Sequence, residues 1–112
     1  RMGDDESLLK EMATLLAEDG PQRMQQAIEG LNKHNANGIV HAAHTLKGLT
    51  ANFGAARAVA AAARLEDLAR KEKWAEMDAA ADALQQALAE LLQALRPLAT
   101  DSLNPSSALD AG

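Results

Sequence analysis

The residues best suited to chemistry in this chain are His44, Lys47 and Gly48, within the segment His41-Ala42-Ala43-His44-Thr45-Leu46-Lys47-Gly48. An imidazole has an ordinary pKa of about 6.5, so near neutral pH it offers a nucleophilic ring nitrogen. On a helix, a lysine three residues later lies within about 5–6 Å at the Cβ level. Its ammonium can sit beside phosphoryl oxygens and offset their charge. A glycine inside a helix costs about 1 kcal/mol relative to alanine. One reason to carry that cost is that a side chain there would block a partner's approach to the imidazole. The three together suit a histidine that carries a phosphoryl group.

That chemistry requires the three residues to share an exposed face. Winding the segment at about 100° per residue, with His44 at zero, puts Ile39, Ala42, Leu46, Leu49, Thr50 and Phe53 within roughly 60° of the opposite side. Asn37, Val40, Lys47, Gly48 and Ala51 fall within roughly 60° of His44. The apolar stripe thus marks the buried face, and His44 is at the centre of the other. Asn37, Val40, His41 and Ala51 frame it as a docking patch for a partner rather than a pocket.

A lone exposed histidine is usually just solvated, and so is a lone lysine; only their conjunction with Gly48 carries the argument. His41 and His44, one turn apart, could pair on a transition metal. A third ligand is missing, because His34 precedes the helix cap, so no metal site is expected. Thr50 and Asn52 read as structural residues and Trp74 as a core anchor at the end of the bundle. Glu66 and Asp67 sit in an ordinary amphipathic pattern and read as a solvated face.

Five helices are expected to position these residues. Asp4 or Asp5 caps a first one carrying Leu8, Met12, Leu15 and Leu16. Asp19-Gly20-Pro21 then breaks the chain, and Pro21 opens a second helix burying Met24, Ala27, Ile28 and Leu31. Asn35 caps the third, which runs through His44 to Phe53, and Gly54 closes it in a left-handed conformation. The fourth covers about residues 56–71, with Val59, Ala62, Ala63, Leu65 and Leu68 inward. The fifth follows Trp74, where Met77, Ala81, Leu84, Leu88, Leu91 and Leu95 alternate steps of four and three as in a bundle seam. Pro97 is expected to end it, leaving residues 97–112 as a disordered tail. Short connections make neighbouring helices antiparallel. The expected fold is an all-α, up-down, antiparallel four-helix bundle over residues 4–96, with an additional N-terminal helix.

Composition agrees and excludes much else. The chain has 112 residues, one Phe, one Trp, no Tyr and no Cys. Such a chain makes one domain with a modest core, built from Ala, Leu and Met. A formal net charge of −5 argues against nucleic acid as a partner. The absence of cysteine excludes disulfides and thiol catalysis and fits a reducing compartment. No apolar run reaches membrane-spanning length, so the domain is expected in the cytoplasm without membrane contact of its own. Arg1-Met2-Gly3 reads as a cloning junction or as the cut edge of a longer protein. There is no glycine-rich phosphate loop and no acidic cluster for Mg²⁺. The chain is therefore not expected to bind ATP or any cofactor, or to complete phosphoryl transfer alone. Mg²⁺ and the acidic pocket would come from a partner.

At these residues the chain resembles the histidine-containing phosphotransfer (HPt) domains of bacterial multistep phosphorelays. Their pattern is approximately A-H-T-L-K-G-[SA]-x-x-N-[LF]-G-A. Ala43-His44-Thr45-Leu46-Lys47-Gly48 and Asn52-Phe53-Gly54-Ala55 match it. The likeness continues more loosely over about residues 4–95, including Leu65-Glu66 and the polar turn before Trp74. Leu49 departs from the usual small residue, on the core side, and Asn35 replaces the common acidic cap. The resemblance implies a four-helix bundle with His44 as phosphoacceptor, Lys47 as phosphoryl contact and Gly48 as clearance for a receiver domain. The implied partners are receiver domains of response regulators and of a hybrid kinase, which supply an aspartate and Mg²⁺. The implied setting is a monomeric phosphocarrier without a kinase core, as the C-terminal module of a hybrid sensor kinase tethered to the inner membrane, or free-standing. Two other readings stay open: a phosphoacceptor domain of a chemotaxis-type kinase, and a helical interaction module whose histidine is incidental.

Overall fold

The computed structural model describes the backbone of residues 2–103 and the side-chain environments of residues 6–98. Four helices follow one another: α1 (Met2–Lys33), α2 (Ala36–Ala51), α3 (Ala56–Arg70) and α4 (Trp74–Leu103). Connections of two to four residues turn each helix back on its predecessor. Packing runs α1 on α2, α2 on α3, α3 on α4, and α4 back on α1. The result is the expected all-α, up-down four-helix bundle. Leu16, Ile39, Leu46, Leu65, Met77 and Leu84 are its largest fully buried apolar side chains. Each contributes about 1.5–3 kcal/mol by leaving water.

The expected break at Asp19-Gly20-Pro21 is absent. α1 runs straight through Pro21, so the additional N-terminal helix is the first half of α1. A proline inside a helix costs about 3 kcal/mol through a lost hydrogen bond and a ring clash. The apolar row Ala13, Leu16, Gly20, Met24 and Ala27 is nevertheless unbroken and buried on both sides of it. Burial of Leu16 and Met24 alone is worth about as much as the proline costs. α1 is already helical at Met2, so neither Asp4 nor Asp5 starts it. α4 likewise passes Pro97 and continues to Leu103. Residues 104–112, where the rest of the expected disordered tail falls, lie outside the described residues.

Three helix ends close with a left-handed residue. α1 ends on His34 (φ 53°), where the N–H groups of Asn35 and His34 donate to the carbonyls of Gly30 (2.8 Å) and Leu31 (3.3 Å). α3 ends in the same Schellman pattern at Glu72 (φ 54°), with Lys73 N–H donating to Leu68 and Glu72 N–H to Ala69. Gly54 (φ 60°) follows α2, as expected from the sequence. Asn35 also caps α2, its Oδ1 accepting from Gly38 N–H at 3.1 Å. Gly30 sets how closely α1 and α2 approach: a Cβ there would fall 2.7 Å from Ile39 Cγ1. The His34 ring packs on Trp74, with centroids 4.3 Å apart. Trp74 is half-buried against the core, in keeping with an anchor at the end of the bundle.

Candidate functional site

α2 buries Ile39, Ala42, Ala43, Leu46 and Thr50, and Thr50 Oγ1 donates back to the Leu46 carbonyl at 2.8 Å. That face fixes the rotation of the helix, so His44 points outward, its side chain 64 % exposed. Lys47 stands one turn on, and Gly48 is exposed. A Cβ added at Gly48 would meet nothing within 4 Å. No packing demand therefore keeps glycine at that position. Asn37, His41 and Ala51 are exposed as expected, whereas Val40 is half-buried against the core. His41 lines an open cleft of about 470 Å³ between α1 and α2, together with Arg23, Lys33 and Thr45.

The centre of the site is a residue the sequence reading placed in solvent. Glu66, on α3, is buried, its side chain only 7 % exposed. Its Oε2 is 3.1 Å from His44 Nδ1 and 2.7 Å from an Arg70 guanidinium nitrogen. Its Oε1 is 2.8 Å from Lys47 Nζ. Burial alone would push the carboxyl up, but hydrogen bonds from Lys47, Arg70 and His44 outweigh it and hold the group at about 2, below its ordinary 4.5.

This geometry assigns the protons. An ionised carboxylate only accepts hydrogen bonds, so the ring nitrogen facing it must donate. In the neutral ring the proton is therefore on Nδ1, which leaves the Nε2 lone pair for solvent or a partner. Lys47, expected beside an incoming phosphoryl group, is paired with Glu66 in this structure. Arg70, absent from the expected site, is the second cation on the same carboxylate.

A helical signal for both residues was present. Glu66 is four residues after Ala62 and three before Ala69, both buried, which sets it on the inward stripe of α3. Arg70 follows one turn later and pairs back to it. Asp67, in contrast, faces solvent and pairs with Lys71. Thus the expected solvated face holds for Asp67 and fails for Glu66.

Among the described residues, no group of three or more His, Cys, Asp or Glu side chains is placed to hold a metal ion. No described helix is long and apolar enough to cross a membrane. The family model for the Hpt domain matches residues 11–96. No curated protein and no solved structure matches the chain.

Proposed function

The chain belongs to the Hpt domain family, and on that premise we propose that His44 is the phosphoacceptor, taking a phosphoryl group from a receiver phospho-aspartate and passing it to a response-regulator aspartate. Membership makes the domain a phosphocarrier of phosphorelay signalling, which works with receiver domains, and not a kinase core. The observation that carries the assignment to His44 is its exposed ring held through Nδ1 by buried Glu66.

In the proposed step, Nε2 attacks the phosphorus of the acyl phosphate. The N–P bond forms as the P–O bond to the aspartate breaks, and the carboxylate leaves with the bonding pair. His44 keeps its Nδ1 proton, so the ring becomes cationic as it is phosphorylated. The Glu66 carboxylate, already in place at 3.1 Å, offsets that charge without reorganising. Lys47 then exchanges from Glu66 to the phosphoryl oxygens, while Arg70 remains on the carboxylate. Gly48 leaves room for the receiver, which supplies Mg²⁺ and the second aspartate. The reverse step uses the same groups. The parent setting fitting this role is a hybrid sensor kinase with the domain in the cytoplasm.

The test is transfer from a phosphorylated receiver to the wild-type domain and to His44→Gln. Acid-labile label is expected on the wild type alone, with the helical circular-dichroism signal equal in both. Label persisting on His44→Gln would refute the assignment. Label appearing only with a kinase core and ATP would assign the chain to the chemotaxis-type reading instead.

A further inference from the structure

Two demands on Glu66 conflict. It must be ionised to accept the proton of His44 Nδ1. Yet a carboxylate withdrawn from water beside an imidazole favours the doubly protonated ring, because opposite charges attract strongly where solvent screens them little. A doubly protonated imidazole has no lone pair on Nε2 and cannot act as a nucleophile. With its side chain almost wholly buried, Glu66 alone would hold the ring in the right orientation and in the wrong protonation state.

The two cations on the carboxylate resolve this conflict, and they are not equivalent. Lys47 binds Oε1, the oxygen that the ring does not use. Arg70 binds Oε2 at 2.7 Å, the oxygen that also faces His44 Nδ1 at 3.1 Å. A guanidinium sharing one acceptor oxygen with the ring repels any positive charge on it, and so opposes a second proton there. Arg70 stands one turn after Glu66 on α3, the favoured i, i+4 order for an acid and a base. Because α3 runs antiparallel to α2, Lys47 lies one turn from His44 toward the C-terminal end of α2, and Arg70 lies toward its N-terminal end. The two cations bracket the imidazole and together more than neutralise the carboxylate. Among the described residues Arg70 has no other ion-pair partner. Neighbouring charges are engaged elsewhere: Asp67 pairs with Lys71, and on the α1 side Arg23, Glu29 and Lys33 line the cleft that holds His41.

We propose that Arg70 is a positioning residue of the transfer reaction, acting through Glu66 to keep the His44 ring singly protonated and its Nε2 lone pair available near neutral pH. Its purpose rests on the phosphotransfer reading, whereas its electrostatic core concerns the resting ring alone. Arrival of a phosphoryl group reverses the balance, since that group brings negative charge to the Nε2 side and favours the cationic ring that keeps its Nδ1 proton. One carboxylate then serves both states of the ring, because Arg70 moderates it before transfer and the phosphoryl group offsets that moderation afterwards.

The decisive variant is Arg70→Gln, which removes the charge while Lys47 still holds the carboxylate from its other oxygen. Nitrogen-15 NMR titration of His44 in the unphosphorylated domain needs no receiver. The doubly protonated ring should persist to higher pH in Arg70→Gln than in wild type, and Arg70→Lys should titrate like wild type. Transfer from one phosphorylated receiver, followed from about pH 5.5 to 8.5, should show a loss confined to the acid side. Arg70→Gln should be at least about threefold slower than wild type at about pH 6 and within about twofold of it at about pH 8.5. A merely structural arginine would lower the rate alike at every pH. Coincident titration curves, a rate loss independent of pH, or an Arg70→Lys variant behaving like Arg70→Gln would each overturn the proposal. A wild-type domain that takes no label would instead overturn the phosphotransfer reading, and the titration would still decide the role of Arg70.

Discussion

At the scale of single residues, the site depends on Glu66, because an outward imidazole alone fixes neither its tautomer nor its orientation. The carboxylate does both, and three donors keep it ionised. The same pairing links the site to stability. In the unfolded chain Glu66 takes up its proton near its ordinary 4.5, and in the folded protein only near 2. Between those values the unfolded state binds the extra proton, so stability contributed by Glu66 is present above about 4.5 and is lost as pH falls toward 2. Glu66→Gln should be less stable than wild type at pH 6 by up to about 3 kcal/mol, and the gap should narrow below pH 4.5 and nearly vanish only at about pH 2. Urea midpoints of the two proteins across that range check this; a constant gap would remove the pairing from the account. The sequence disclosed His44, Lys47 and Gly48 because their types are unusual together on one face. Glu66 was hidden because a charged residue in an amphipathic helix is ordinarily solvated, and only the register Ala62, Glu66, Ala69 argued otherwise.

Among the elements, α2 was the most legible. Its Asn35 cap, apolar stripe and Gly54 end are local signals that nothing in the tertiary structure opposes. α1 was misread for the opposite reason: Asp19-Gly20-Pro21 is a strong local stop, overridden by burial on both sides of it. The ends of α1 and α3 were located only roughly, since His34 and Glu72 take the left-handed position that usually signals itself with glycine. α2 also carries its own prediction, because Gly48 sits in helix interior with open space around it. Gly48→Gln should spare or raise stability by about 0.5–1 kcal/mol. Transfer from a receiver should nevertheless slow at least about tenfold, as a side chain beside the imidazole costs more than 1.4 kcal/mol of docking energy. Thermal melts and transfer rates measured on the same preparation check both halves. Faster melting, or normal transfer, would show that the glycine serves some other purpose.

For the whole molecule, the bundle works as a rigid mount. Four helices hold one ring nitrogen outward, and the buried network behind it joins α2 to α3 through His44, Lys47, Glu66 and Arg70. The fold class was readable from period and composition, because Leu and Ala stripes at helical spacing admit little besides a helical bundle. The unequal helix lengths were not readable, since they follow from two prolines that fail to terminate α1 and α4. In the proposed transfer the chemistry is shared: the chain would position and neutralise, while the metal and the carboxyl group would come from the receiver. The central claim is that buried Glu66 holds the Nδ1 proton and hands Nε2 of His44 to the partner. Nitrogen-15 NMR of the ring after transfer from a phosphorylated receiver tests it most directly. The account predicts phosphorus coupling at Nε2 with the proton retained on Nδ1; phosphorylation at Nδ1, or at a different residue, would contradict it.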